Sequence, residues 1–187
     1  MGFVKTPDEM AALARVQQDV WFLSEHFSVS VESDEDFILV LNAASTPAVA
    51  EMDAEDYRDI AGWAHRVLVA ELDGKPCGFL ILIRPGTAYP SDNYGWFEAK
   101  FDNHLYIDRI AVSEAAKGHG VGRAFYDEAA RIAAKNGDRR LTCEVNVEPP
   151  NPQSMAFHQR VGFRHLHTRP SGDSKPQKIV AMMERPL

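Results

Sequence analysis

Cysteine is scarce in this chain. Two in 187 residues, Cys77 and Cys143, cannot make the disulfide framework of a small secreted fold. Both stand in apolar, strand-like runs and read as packing positions for reduced thiols. Long hydrophobic runs are missing as well. The longest, residues 78–83, is strand-sized, far short of the ~18 apolar residues of a membrane span, so no membrane partner is expected. The N-terminus shows no charged stretch leading into an apolar one, as a secretory signal would. A cytoplasmic location is therefore expected. Positive charge is in deficit, with 20 Lys and Arg against 27 Asp and Glu for a net −7. That field repels phosphate backbones, which disfavours a nucleic-acid partner and mildly favours cationic small molecules such as amines. Of the seven histidines, His165 and His167 share one strand face, but no third and fourth ligand follows at a metal-site spacing. No metal is expected.

What is present is an ordinary globular composition, 45% apolar and 25% charged, in a length that suits one domain. Residues 7–27 read as a helix, opened by Thr6-Pro7-Asp8-Glu9 as a capping box with proline at the first helical position. Its apolar stripe is expected to pack on the domain, or else to form a dimer contact or a lid over the substrate. Residues 37–41, all apolar, read as a first strand. Residues 47–64 read as one or two short helices with Asp53 as N-cap. A hairpin follows, with strands over 66–72 and 76–83 joined at Asp73-Gly74. Then come a loop over 84–94, a short helix over 94–101, a strand over 104–112, a helix over 121–135 and a strand over 140–147. Asn151-Pro152 opens a further helix that ends at Gly162, and strands over 164–168 and 178–185 close the chain.

The chemistry concentrates between residues 110 and 124. A strand runs through a short loop into Lys117-Gly118-His119-Gly120-Val121-Gly122-Arg123 and then a helix. Glycines let backbone N–H groups turn toward one point, and the helix start adds unpaired N–H groups and positive dipole. Together they make a pyrophosphate cradle, to which Lys117 and Arg123 add charge. A dinucleotide fingerprint would need a third glycine three residues after the second, where Arg123 or Phe125 stands. A Walker A loop would need Gly-Lys-Ser/Thr, which is absent.

The downstream segment narrows the choice. Asn151-Pro152-Gln153-Ser154, His158 and Gly162-Phe163 follow the glycine block at a helix-plus-strand distance. In these two ordered blocks the chain resembles the GNAT superfamily of acyl-CoA-dependent N-acyltransferases, over about residue 39 to the C-terminus. Its pyrophosphate loop reads Arg/Gln-x-x-Gly-x-Gly/Ala, with Lys117 here in the first place. The resemblance implies an α/β fold with a mixed, mostly antiparallel sheet of six to seven strands flanked by helices. It forms a single domain with a core over 37–187 and an added N-terminal helix within 1–30. Acetyl-CoA would be co-substrate and a small-molecule or peptide amine the acceptor, with a homodimer as one assembly. The pantetheine arm would enter where the strand before the loop bulges and splays from the next parallel strand. It would pair there with the backbone of Ile110, Ala111 and Val112, and the Val112 N–H would polarise the thioester carbonyl. Lys117, Gly118, His119, Gly120, Val121, Gly122 and Arg123 would hold the phosphates. Asn151 and Ser154 would meet the pantetheine arm, with Asn151 also capping its helix. The amine would attack directly, leaving both cysteines as packing residues.

Tyr106 and Asp108 share one strand face by period two, as do Glu144 and Asn146. Asp108 and Glu144 are therefore the candidates to bind the amine or relay its proton, though each is equally suited to pairing with a structural arginine. His158 stands where the family usually has a tyrosine that protonates the departing thiolate. It can do that work, or it can pack over the cofactor while water is the acid. Loss of that tyrosine also leaves open a non-catalytic acyl-CoA-binding or regulatory module. Tyr89, Tyr94, Trp96 and Phe97 are expected to shape the acceptor pocket or to pack their own loop.

Overall fold

The structure, a computed structural model, describes residues 27–29, 34–172 and 177–187. Seven strands form one sheet: β1 (Phe27–Val29), β2 (Arg66–Leu72), β3 (Lys75–Ile83), β4 (Leu105–Val112), β5 (Arg140–Glu148), β6 (Arg164–Ser171) and β7 (Lys178–Pro186). Their order is β1-β2-β3-β4-β5-β7-β6. Among the described residues only the β4–β5 pair is parallel, so the sheet is mixed and mostly antiparallel, as expected. The helices are α1 (Glu35–Ala44), α2 (Ala54–Trp63), α3 (Asp92–Glu98), α4 (Val121–Asn136) and α5 (Pro152–Arg160).

One element differs from the sequence reading, and another lies almost wholly outside the described residues. The helix expected over 7–27 lies outside the described residues except at Phe27, which begins β1 rather than ending a helix. The strand expected over 37–41 is helix α1. Five apolar residues in a row satisfy either period, and burial shows which one holds. Ile38 and Leu41, three apart, are buried, while Val40 is 71% exposed.

Elsewhere local chemistry explains the elements directly. Asp53 accepts from the N–H groups of Glu55 and Asp56, and Asp56 returns the bond to the Asp53 N–H, closing a capping box on α2. Asp73 and Gly74 both take positive φ, 54° and 70°, and turn the β2–β3 hairpin. Helix α4 buries Val121, Phe125, Ala129, Ile132 and Ala133 at helical spacing and ends on left-handed Gly137.

The core is divided by the sheet. On one face, α4 packs on Leu80, Leu82, Leu105, Ile107, Leu141 and Cys143. On the other, α1 and α2 cover Val67, Val69, Phe79 and Ile81, and α3 covers Ile83, Tyr106, Val180 and Met182.

The feature that positions the site is the parallel pair. β4 and β5 match only at Leu105↔Leu141 and Tyr106↔Thr142. Beyond Tyr106 they separate. The cause is visible on the opposite edge of β4, where Ile81 faces Arg109 and Leu82 faces Ile107, leaving Asp108 as an extra residue. Such a bulge bends its strand and increases its twist, and here it takes β4 away from β5.

Candidate active site

A cleft of about 290 Å³ fills the opening between β4 and β5. Backbone forms one of its walls. Ser113 N–H donates to the Cys77 carbonyl at 2.8 Å. Alternation along the antiparallel ladder then turns the backbone groups of Ile110 and Val112 away from β3, toward the gap. No β5 residue pairs with them there. By the same alternation Ala111 gives its backbone to β3, and its side chain is buried against the α1–α2 layer. Of the three positions expected to meet a pantetheine arm, Ile110 and Val112 present free edges and Ala111 does not.

The strand continues into the glycine turn. Gly118 and Gly120 both have φ of +82°, a conformation that costs most side chains ~1–2 kcal/mol. Lys117, Gly118, His119 and Gly120 are exposed. Gly120 caps α4 without any side-chain bond, and the first turn of α4 carries no acidic residue. The N–H groups of that turn, including those of Val121, Gly122 and Arg123, are therefore open to an anion. Gly122 has a further role. A Cβ there would lie 3.1 Å from the Phe157 ring, so this glycine lets α5 pack closely on α4 and does not shape the turn. Lys117 pairs with Glu114 at 2.5 Å, and Arg123 lies 3.9 Å from Asp127. Both cations sit at the turn and swing on exposed side chains.

The two faces of β5 separate the remaining groups. Cys143 and Val145 point to the α4 face, where both are buried. Burial pushes the Cys143 thiol well above its ordinary range, so it is a packing residue. Glu144 points the opposite way. Its carboxylate accepts from Tyr106 Oη at 2.9 Å and from Asn93 Nδ2 at 3.0 Å, and no arginine bonds it among the described residues. Removal from water raises its pKa to about 7, the Asp108 charge adds to the rise, and the bonds from Tyr106 and Asn93 oppose it. A carboxylate so placed takes a proton near neutral pH.

Asp108 is arranged otherwise. Its carboxylate is bonded to Arg109 Nε at 2.8 Å and to Tyr89 Oη at 2.5 Å. Arg109 in turn reaches Asn42 Oδ1 at 3.2 Å. Of the two readings open for Asp108, the geometry matches pairing with an arginine, because the bulge brings Arg109 beside it. Asp108 acts through its charge on Glu144 and anchors Tyr89 at the cleft.

His158 is 4% exposed. Its Nδ1 lies 2.8 Å from the Ser154 carbonyl and its Nε2 2.5 Å from Tyr126 Oη. A carbonyl only accepts, so Nδ1 carries the hydrogen and Nε2 accepts from the Tyr126 hydroxyl. Burial lowers the His158 pKa, against the Ser154 bond, so the imidazole is held neutral. Direct donation from His158 to a thiolate does not fit this geometry, because Nε2 accepts from Tyr126 and burial lowers the pKa of the ring. Tyr126, on α4, also lines the cleft and was not singled out by sequence. No motif marks it, and its spacing is that of a core residue. Burial keeps its hydroxyl protonated, well above 10.

Asn151 caps α5 by accepting from the Ser154 N–H at 3.1 Å, and both residues line the cleft. Of the expected aromatic wall, Tyr89 reaches the cleft. Tyr94 and Phe97 pack on Tyr106, with ring centroids at 5.6 and 5.8 Å, and Trp96 stacks on His167 at 5.9 Å.

An opened parallel pair beside a glycine turn and an uncapped helix, set in this mixed sheet, defines the α/β acyltransferase class. The sequence profile of the acetyltransferase (GNAT) family matches residues 32–163, and the chain belongs to that family. Solved structures share the fold. Ard1 from Thermoplasma volcanium aligns with TM-score 0.70 at 15% identity, covering 86% of this chain and 96% of its own. A ribosomal-protein-alanine N-acetyltransferase from Brucella melitensis aligns with TM-score 0.63 at 22% identity, covering 86% and 99%. An acetyltransferase from Salmonella typhimurium, solved with its cofactor acetyl-CoA, aligns with TM-score 0.63 at 18% identity, covering 86% and 92%. No curated protein sequence matches the chain.

Proposed function

We propose that the protein transfers an acetyl group from acetyl-CoA to an amine by direct attack within a ternary complex. The observation that carries this reading is the opening beyond Tyr106↔Thr142. It leaves a strand edge for a pantetheine arm and gives access to the thioester from both faces of the sheet. Acetyl-CoA supplies the acyl carbon and the sulfur leaving group.

The chain's own groups do the rest. The N–H groups of Gly118 and Gly120 and those of the first turn of α4 bind the diphosphate, while Lys117 and His119 N–H stay on the Glu114 and Ala116 carbonyls. Val112 N–H donates to the thioester oxygen as charge builds on it. Glu144 accepts the proton of the incoming ammonium, directly or through one water, which its near-neutral pKa permits. As the nitrogen–carbon bond forms and the carbon–sulfur bond breaks, the nitrogen gives its second proton to water in the cleft; Tyr126 turns its hydroxyl from His158 Nε2 to protonate sulfur and regains a proton from that water. Neutral His158 holds that hydroxyl in place before the reaction, and the Ser154 carbonyl fixes the tautomer of His158. A phenol therefore serves the leaving group although His158 occupies the family's tyrosine position. Under this reading, the absence of the family's tyrosine at position 158 does not argue for a non-catalytic acyl-CoA-binding module. The structural neighbour named a ribosomal-protein-alanine N-acetyltransferase keeps peptide amines among the acceptors to be tried.

The experiment is release of free thiol from acetyl-CoA, followed with a panel of amines and peptide N-termini. Thiol release that depends on the amine supports the reading. Calorimetric binding of CoA with no thiol release across the panel would return the protein to a binding module.

A further inference from the structure

Resting on the acetyl-transfer reading, we infer that the acceptor is a small free amino acid, its amine held at Glu144 and its carboxylate by Lys178. Two cationic side chains line the cleft, Arg109 and Lys178. Arg109 is committed to Asp108 at 2.8 Å. The Lys178 side chain has no hydrogen bond or ion pair among the described residues, although it stands at the wall of a cleft in a chain of net charge −7.

Register places Lys178 on the acceptor side. Glu144 faces Met182 and Asn146 faces Val180 across the β5–β7 ladder, and directly paired residues share a face. Period two then sets Lys178, Val180 and Met182 on the same face as Glu144. From Lys178 to Met182 is four residues, or ~13 Å of strand. Strand side chains rise from the sheet face, and the flexible lysine stem can lean along β7 toward Glu144, shortening that span to suit a small molecule with an amine at one end and a carboxylate at the other.

The amine end has a second, independent mark. Asn93 is 7% exposed and lines the cleft. Its Nδ2 serves Glu144 and Ser171, at 3.0 and 2.8 Å, but its Oδ1 is buried with no partner. A buried acceptor without a donor is uncommon in a folded protein. It lies one amide away from the Nδ2 that bonds Glu144, so a small rotation of Asn93 would set a second acceptor beside the carboxylate, which suits the several N–H donors of an ammonium group. A peptide N-terminus would supply the same ammonium but would continue as an amide where Lys178 waits for a carboxylate.

The test compares each of a set of free amino acids with its own carboxamide and its decarboxylated amine in the thiol-release assay. The expected result is a kcat/KM at least tenfold higher for the acid than for its amide, expressed in KM. Lys178→Met should bring the acid down to the level of the amide, and Lys178→Arg should recover part of the difference. Lys178→Glu should shift preference toward diamines. Equal kcat/KM for acid and amide in the wild type overturns the inference while leaving acetyl transfer intact, and that comparison needs no variant to fold. A fall in Lys178→Met that is the same for acid and amide also overturns it. A protein that releases no thiol with any amine, amide or acid loses the acetyl-transfer reading, and this inference with it.

Discussion

On the α4 side, the turn that would hold the diphosphate offers backbone N–H groups standing in solvent at Gly118 and Gly120. On the α3 side the cleft meets its ligand with carboxylates and hydroxyls drawn out of water, where Glu144, Tyr106, Tyr89 and Asp108 hold one another in place. The two sides solve different problems. A diphosphate carries fixed charge at any working pH, so backbone dipoles need only be aimed at it. An amine must bind as a cation and react as a neutral base, so its site needs a group whose protonation changes near neutrality. That group has to be shielded from water to have such a pKa.

The largest effect should come from breaking the shielded side. Glu144→Gln keeps the bonds from Tyr106 and Asn93 but cannot take a proton. We expect kcat/KM for the acceptor to fall ~10²–10⁴-fold, the range for one acid–base group, while CoA affinity measured by calorimetry stays constant. In the wild type, kcat/KM should rise as pH increases through about 7, because Glu144 must be ionised to act. Asp108→Asn removes a charge that raises the Glu144 pKa and should move that limb to lower pH. A limb that keeps its position in Asp108→Asn would separate the two carboxylates.

The next effect concerns the groups that face the sulfur. Tyr126→Phe should lower kcat by ~10², and His158→Phe should do nearly the same by leaving the Tyr126 hydroxyl unheld. Since the two act as a unit, the double variant should lose little more than either single one. Losses that multiply would show two separate roles. Wild-type turnover in Tyr126→Phe would make water the acid.

The same division decides what the sequence made legible. The backbone side is local. Residues 117–123 form a turn and a helix start within one short stretch, so their spacing carries the geometry. Residues 151–163 likewise announce their cap, helix and stop. The shielded side is assembled from Asn93, Tyr106, Asp108, Glu144 and Lys178, separated by up to 85 positions of sequence, and only the folded sheet brings them together. Period two correctly paired Tyr106 with one face of β4, but the bulge at Asp108 shifted the rest of the strand and put Arg109 beside it. Tyr126 was hidden for a related reason, being spaced like the core residues around it on α4. The apolar run at 37–41 satisfied both a strand and a helix, and burial against β3 resolved it.

A smaller effect is expected from the exposed side. Gly120→Asp sets a negative charge in the turn and should weaken CoA more than tenfold, or ~1.4 kcal/mol and above. Gly120→Asn is the control, since asparagine tolerates the left-handed conformation better than most residues and carries no charge. Calorimetry should find Asn close to wild type and Asp well below it. Equal losses would assign the effect to backbone strain, and no loss in either would remove the phosphates from this turn.

The smallest effect is in stability, and it tests the shielding itself. The Glu144 pKa in the folded protein is about 7, against an ordinary 4.5. A carboxyl with a raised folded pKa favours the fold fully below the ordinary value, and that contribution is lost as pH rises through 7. Above that range the wild type carries a buried charge that the unfolded chain would hydrate freely. The shift corresponds to ~3 kcal/mol at most, and the opening of the cleft to solvent reduces this to roughly 1–2 kcal/mol. Glu144→Gln has no charge to bury. At pH 8 it should therefore be more stable than the wild type, with a Tm higher by ~2–8 °C for a chain of this length, although it is the variant with the greatest loss of activity. At pH 4 the two proteins should melt together, because the wild-type carboxyl is protonated in the fold and largely so in the unfolded chain. The comparison is made by thermal unfolding at both pH values without ligand. A Glu144→Gln protein that gains nothing at pH 8 would mean that water reaches this carboxylate freely, and the base would then lie elsewhere in the cleft.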